Sequence, residues 1–103
     1  MIKAIVIDDE NRTRDLIVKM INSFGFEIEA TAGGDNVKNG IESIEREKPD
    51  LVFLDIQMPD GTGFDLLKGV KNKDFEVVFI TAHEEFAIKA IKFSALDYIL
   101  KPI

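Results

Sequence analysis

The apolar positions of this chain fall into short runs that alternate between two spacings. "KAIVIDD" is a β-branched run and places a strand at Lys3–Ile7. In "RDLIVKMINSF" apolar residues recur at Leu16, Met20 and Phe24, with Ile17 and Ile21 beside them, which is helical spacing closed by Gly25. "FEIEATA" alternates apolar and acidic residues like a strand, and Gly33 and Gly34 then mark a turn. "VKNGIESIE" puts Val37, Ile41 and Ile44 on one helical face, although Gly40 weakens it and Pro49 ends it. "LVFL", "EVVFI" and "DYIL" predict three further strands. Between them lie a short helix over Phe64–Val70 and a longer one in "EEFAIKAIKF", with Phe86, Ala87, Ala90 and Ile91 inward and Phe93 at its margin.

Strands and helices in this regular order predict βαβ units and a parallel sheet. "AIVI", "LVFL" and "VVFI" are apolar at consecutive positions, as expected of strands with helices on both faces. The expected fold is therefore α/β, a doubly wound five-stranded parallel sheet with helices on both faces. In such sheets ligands bind beyond the carboxyl ends of the strands.

Composition narrows the function classes. The 103 residues suit one domain, residues 1–103, at 46% hydrophobic and 31% charged, with no linker or repeat. A formal net charge of -6 opposes non-specific nucleic-acid binding, which needs a basic face, and is compatible with divalent cations or basic partners. With no cysteine there is no disulfide framework and no thiolate metal site. The early run "AIVI" is too short for a signal core, and no apolar stretch approaches membrane-spanning length, so a cytoplasmic protein without a membrane partner is expected.

The residues at the strand ends carry the chemistry. The first strand ends in Asp8 and Asp9, the third in Asp55, the fourth in Thr81 beside small Ala82, and the fifth in Lys101 beside Pro102. In a parallel sheet these ends share one edge, so three carboxylates, a hydroxyl and an ammonium should meet. Clustered carboxylates repel one another and call for a cation, and an all-oxygen donor set selects a hard ion, Mg²⁺ first. Each residue has a plainer reading alone: Asp8–Asp9–Glu10 as a solvated turn, Thr81 as a helix cap, Lys101 as a surface lysine. Their coincidence at successive carboxyl ends favours a site. His83, at the start of a helix, reads as a surface residue.

"IDDE", "LDIQMPDGTG", "ITAHEE" and "LDYILKPI", in this order from Lys3 to Ile103, resemble the receiver domain of two-component response regulators. "DIQMPDGTGFDLL" and "AHEEFAIKAIKFSALDYILKP" resemble more closely the receivers of LytTR-class transcription regulators. The resemblance implies the flavodoxin-like strand order 2-1-3-4-5, and that Asp55 is the phosphoacceptor, served by a sensor histidine kinase. It implies Mg²⁺ on Asp9, Asp55 and the backbone carbonyl of Gln57, with Asp8 acting mainly through water. Lys101 would pair with Asp55 and then with phosphoryl oxygens, and Thr81 would bind the phosphoryl group and couple it to the aromatic switch position, Tyr98. A plainer reading of Tyr98 is a sheet-edge aromatic. The Lys101–Pro102 bond would be cis, and DNA would be reached only through a separate C-terminal domain. Receivers also carry a fifth helix after the fifth strand. Its absence from "LKPI" predicts uncovered apolar surface on strand four, relieved by a homodimer or swapped dimer.

Two other functions compete. A phosphatase of the dehalogenase superfamily also uses an Asp nucleophile, Mg²⁺ and a parallel sheet, but needs D-x-D after the first strand, where this chain has Asp8-Asp9-Glu10. A phosphorylation-independent interaction module leaves the retained acidic pair and Asp55 without a purpose. The expected protein is a regulatory phosphoacceptor rather than a turnover enzyme.

Overall fold

A computed structural model describes residues 1–25, 27–83, 85, 95 and 97–101. The elements, in chain order, are β1 (Ile2–Ile7), α1 (Asn11–Ser23), β2 (Ile28–Gly34), α2 (Val37–Glu47), β3 (Leu51–Asp55), β4 (Gln57–Met58), β5 (Gly61–Thr62), α3 (Gly63–Gly69), β6 (Glu76–Thr81) and β7 (Asp97–Leu100). The five long strands form one sheet in the order β2-β1-β3-β6-β7, with every neighbouring pair parallel. That is the doubly wound order expected from the sequence. The expected helix over "EEFAIKAIKF" and the Lys101–Pro102 peptide bond lie outside the described residues.

The sheet divides the core into two layers. On one face Ile5, Ile7, Val52, Leu54 and Phe79 pack with Ile44 of α2 and Phe64, Leu66 and Leu67 of α3. The Phe64 and Phe79 rings meet at 4.9 Å between centroids. On the other face Ala4, Val6 and Ile80 pack against Ile17 and Ile21 of α1. Burying each large side chain of this kind stabilises the fold by about 1.5–3 kcal/mol. Gly40 sits where α2 meets α3: a Cβ there would fall 2.6 Å from Leu66 Cδ1, so its poor helix propensity is offset by close packing.

Two expectations are corrected, for Gly33 and Gly34 and for the fourth strand, and two further details emerge only from contact. The helical spacing read in "RDLIVKMINSF" does form α1, in which Ile17 and Ile21 face the sheet while Leu16, Met20 and, just past its end, Phe24 are exposed at 43%, 40% and 56%. The two stripes are adjacent at helical spacing, and only contact with β1 and β2 distinguishes them. Gly33 and Gly34 do not turn the chain but extend β2, where Gly34 pairs with Ile7 across a register shift. The segment after Asp55 contains an antiparallel pair of two-residue strands, Gln57–Met58 with Gly61–Thr62, which the sequence pattern did not announce. Strand β6 is not left bare: Val77, Val78, Phe79 and Ile80 are all buried, and among the described residues the large exposed apolar side chains are instead Met1 and Ile2, Leu16, Met20 and Phe24 in and just after α1, and Ile99 and Leu100 of β7. Among the described residues no helix is long and apolar enough to cross a membrane.

Candidate acidic site at the carboxyl edge of the sheet

The sheet delivers each candidate side chain to one edge. The N–H of Asp8 donates to Gly34 O at 3.2 Å, and the N–H of Ile56 donates to Ile80 O at 3.1 Å. The N–H of Lys101 donates to Thr81 O at 2.7 Å. These backbone links hold the ends of β1, β3, β6 and β7 level. Behind Asp55 the chain must pass very close: a Cβ on Gly63 would lie 2.6 Å from the Asp55 carbonyl oxygen. Only glycine fits there. The hairpin then enters α3 through a reciprocal cap, in which Thr62 Oγ1 accepts from the Asp65 N–H and Asp65 Oδ2 accepts from the Thr62 N–H.

Carboxylate oxygens of Asp8, Asp9 and Asp55 come within 4.8 Å of one another. Asp8 and Asp55 are buried and Asp9 is exposed. Lys101 approaches from β7, its Nζ 2.9 Å from Glu10 Oε1, 3.2 Å from Asp8 Oδ2 and 3.5 Å from Asp55 Oδ2. A cavity of about 200 Å³ opens here, lined by Asp9, Glu10, Asp55, Gln57, Thr81, Ala82 and Lys101. A larger hollow of about 330 Å³ lies among Ile44, Pro49, Lys71 and Phe75; Glu45, Asp50 and Asp74 also line it, but among the described residues only Asp8, Asp9 and Asp55 form a close three-carboxylate group.

The electrostatics show how much negative charge is gathered. Burial, a hydrogen bond with Asp9 and the charge of Asp8 push the Asp55 carboxyl up to about 7, against a smaller opposing pull from Lys101. Burial also raises Asp8, partly offset by the Glu10 N–H that donates to its Oδ1 at 2.8 Å. Burial would lower the Lys101 ammonium, but the hydrogen bond to Glu10 and the charges of Asp55 and Asp8 outweigh it and hold it above its usual value. One lysine does not neutralise this group. The Asp8 Oδ2 atom is buried without an aligned hydrogen bond, and all nearby carboxylate donors are oxygen. This donor set fits Mg²⁺.

The structure places the other sequence candidates less simply. Gln57 lines the cavity and its N–H points at Asp55 Oδ1 from 3.4 Å. Thr81 is buried, and its Oγ1 accepts from the His83 N–H at 2.9 Å and donates to His83 O at 3.3 Å, so its hydroxyl is held by its own loop. Tyr98 is half-buried and packs against the core layer containing Phe79. Glu10 and Asp60 were not singled out from the sequence. Asp60 is legible only in retrospect, in the Pro-Asp-Gly turn, and Glu10 only as the acid following an acidic pair.

An α/β sheet that gathers buried carboxylates and a lysine at its carboxyl edge defines a class of acidic-pocket, flavodoxin-like domains. The chain belongs to the response regulator receiver domain family, which it matches over residues 4–103. It is 40% identical over 104 residues to a response regulatory protein of Vibrio parahaemolyticus, covering 100% of this chain and 43% of that protein. It is 41% identical over 105 residues to the sensory transduction protein LytT of Bacillus anthracis, covering 99% and 42%. The chain thus spans less than half the length of these relatives. Among solved structures it superposes on the response regulator domain of Thermotoga maritima CheB with a TM-score of 0.87 at 26% identity, covering 99% of this chain and 79% of that one. It also superposes on the Thermotoga maritima response regulator protein TrrA, solved in complex with Mg²⁺ and BeF, with a TM-score of 0.81 at 27% identity, covering 100% and 89%.

Proposed function

We propose that this chain, as a single receiver domain over residues 1–103, is phosphorylated on Asp55 by a sensor histidine kinase in a Mg²⁺-dependent reaction. Within a longer cytoplasmic regulator it controls a LytTR-type DNA-binding domain, a reading supported by its similarity to LytT. The observation that carries the proposal is the position of Asp55. It is a buried carboxylate at a strand end, facing a cavity with Lys101 and two further aspartates around it. A structural role alone leaves that costly charge unexplained.

In this reading an Asp55 oxygen attacks the phosphorus of a phosphohistidine, an O–P bond forms and the P–N bond breaks. The imidazole leaves with the electron pair and takes a proton. Phosphoryl transfer asks little more of the protein than alignment and neutralisation of the equatorial oxygens. Asp8, Asp9, Asp55 and the Gln57 carbonyl would hold Mg²⁺, which supplies that neutralising charge. Lys101 moves onto the phosphoryl group from its present place 3.5 Å from Asp55. The Thr81 hydroxyl leaves its contacts with His83 to reach the phosphoryl oxygen, and Tyr98 responds to the space it vacates. The domain is a switch; its own chemistry is acceptance and loss of the phosphoryl group.

Incubation with Mg²⁺ and acetyl phosphate should give an acid-stable, base-labile adduct, lost in Asp55→Asn. An adduct that survives the substitution contradicts the proposal, and sustained turnover of phosphomonoesters would point to a phosphatase instead.

A further inference from the structure

Among the described residues the nearest anionic partner of Lys101 is not the phosphoacceptor but Glu10, at 2.9 Å against 3.5 Å to Asp55. Glu10 occupies the N-cap position of α1, yet its side chain caps nothing: it makes no hydrogen bond to the helix amides. Its backbone is nevertheless pinned, with Glu10 O accepting from the Arg14 N–H at 2.9 Å and the Glu10 N–H donating to Asp8. The side chain is therefore a carboxylate on a fixed root, turned away from helix capping and towards the lysine. The Lys101 side chain is 14% exposed and the Glu10 side chain 60% exposed. The lysine is a confined cation at the cavity wall, and Glu10 reaches it from the solvent side. Asp8, buried and hydrogen-bonded, is fixed in place; Glu10 is the partner free to let go.

We propose that Glu10 is a positioning residue that holds Lys101 back from Asp55 until a phosphoryl group displaces it, and so sets how readily Asp55 is phosphorylated. This rests on the phosphoacceptor reading of Asp55. An incoming phosphoryl group competes with Glu10 for the same ammonium, and phosphorylation proceeds at the cost of that ion pair. A part-exposed pair of this kind is weak, which suits a restraint that must yield. The two acidic neighbours of Lys101 then act differently: Asp8 keeps it in the site, and Glu10 decides where in the site it rests.

The test compares the wild type with Glu10→Gln and Glu10→Ala, with Mg²⁺ and acetyl phosphate, alongside nitrogen-edited NMR of the Lys101 ammonium before phosphodonor is added. Both variants should be phosphorylated faster than the wild type, by up to about five-fold, the factor to which an ion pair of this strength converts. In both, the Lys101 resonance should shift and become sensitive to Asp55→Asn. Equal or slower phosphorylation overturns the inference. So does faster phosphorylation with an unmoved Lys101 resonance, which would mean that Glu10 acts only by repelling the anionic donor. A wild type that takes up no phosphoryl group at all would overturn the reading of Asp55 itself, a result distinct from two proteins phosphorylated at one rate.

Discussion

The carboxylate of Asp60 accepts hydrogen bonds from the N–H groups of Val37 and Lys38, at 2.7 and 3.1 Å, and so ties the loop after β3 to the first turn of α2. Asn36 caps the same turn, its side chain accepting from the Asn39 N–H. The helix start is therefore held from its own chain and from the loop that carries Gln57. Chiefly through the Val37 hydrogen bond, Asp60 titrates below its ordinary range.

Asp60→Ala should loosen both partners of that link. A lowered carboxyl contributes stability above its unfolded-state value and loses it as pH falls through the folded value, so the loss should appear near neutral pH and fade in acid. Amide exchange at Val37 and Lys38 should accelerate by about ten-fold at pH 7. Unchanged protection at these two amides would show that the loop and α2 are not coupled through Asp60.

Gly63 sets the approach of the chain to the back of the site. Gly63→Ala would drive its Cβ to 2.6 Å from the Asp55 carbonyl oxygen and 3.1 Å from Leu54 Cγ, both on β3. The strand end must move. Denaturant titration should show a loss of roughly 1–3 kcal/mol, the usual cost of overpacking. Phosphorylation by acetyl phosphate should slow as well, because Asp55 shifts against Lys101. Wild-type stability with wild-type phosphorylation would mean that the hairpin absorbs the extra methyl group.

The charge crowding at Asp55 predicts a pH-dependent gain from its removal. Its carboxyl is raised to about 7 from an ordinary value of 3.8. A raised carboxyl contributes stability that is full below the unfolded value and is lost as pH rises to the folded one. In EDTA, Asp55→Asn should therefore nearly match the wild type near pH 4 and exceed its stability by roughly 4 kcal/mol at pH 8, with most of the gain appearing between those values. Adding Mg²⁺ should stabilise the wild type at pH 8 and leave the variant nearly unmoved. A gain independent of pH, or one that shrinks as pH rises, would contradict this electrostatic picture.

Much of this was legible in the chain. The runs "AIVI", "LVFL" and "VVFI" announce buried parallel strands because both faces must be apolar, and parallel strands share one carboxyl edge; the strand order came only with the family resemblance. Asp8, Asp9, Asp55, Thr81 and Lys101 could be placed together because each immediately ends a strand. What one-dimensional spacing does not contain is contact. Ile17 and Ile21 cannot be told from Leu16 and Met20 until α1 meets the sheet. Gly33 and Gly34 look like a turn until Ile7 pairs beside them. Glu10 and Asp60 look like solvated acids, and their partners Lys101 and Val37 are distant in sequence.

The central claim is that Asp55, and none of its acidic neighbours, accepts the phosphoryl group. After reaction with acetyl phosphate and Mg²⁺, borohydride reduction converts a phosphoaspartyl residue to homoserine, and peptide mass spectrometry reads its position. The account predicts homoserine at position 55 alone, and none when Mg²⁺ is withheld. Homoserine at position 8 or 9, or its formation at 55 without Mg²⁺, would contradict it.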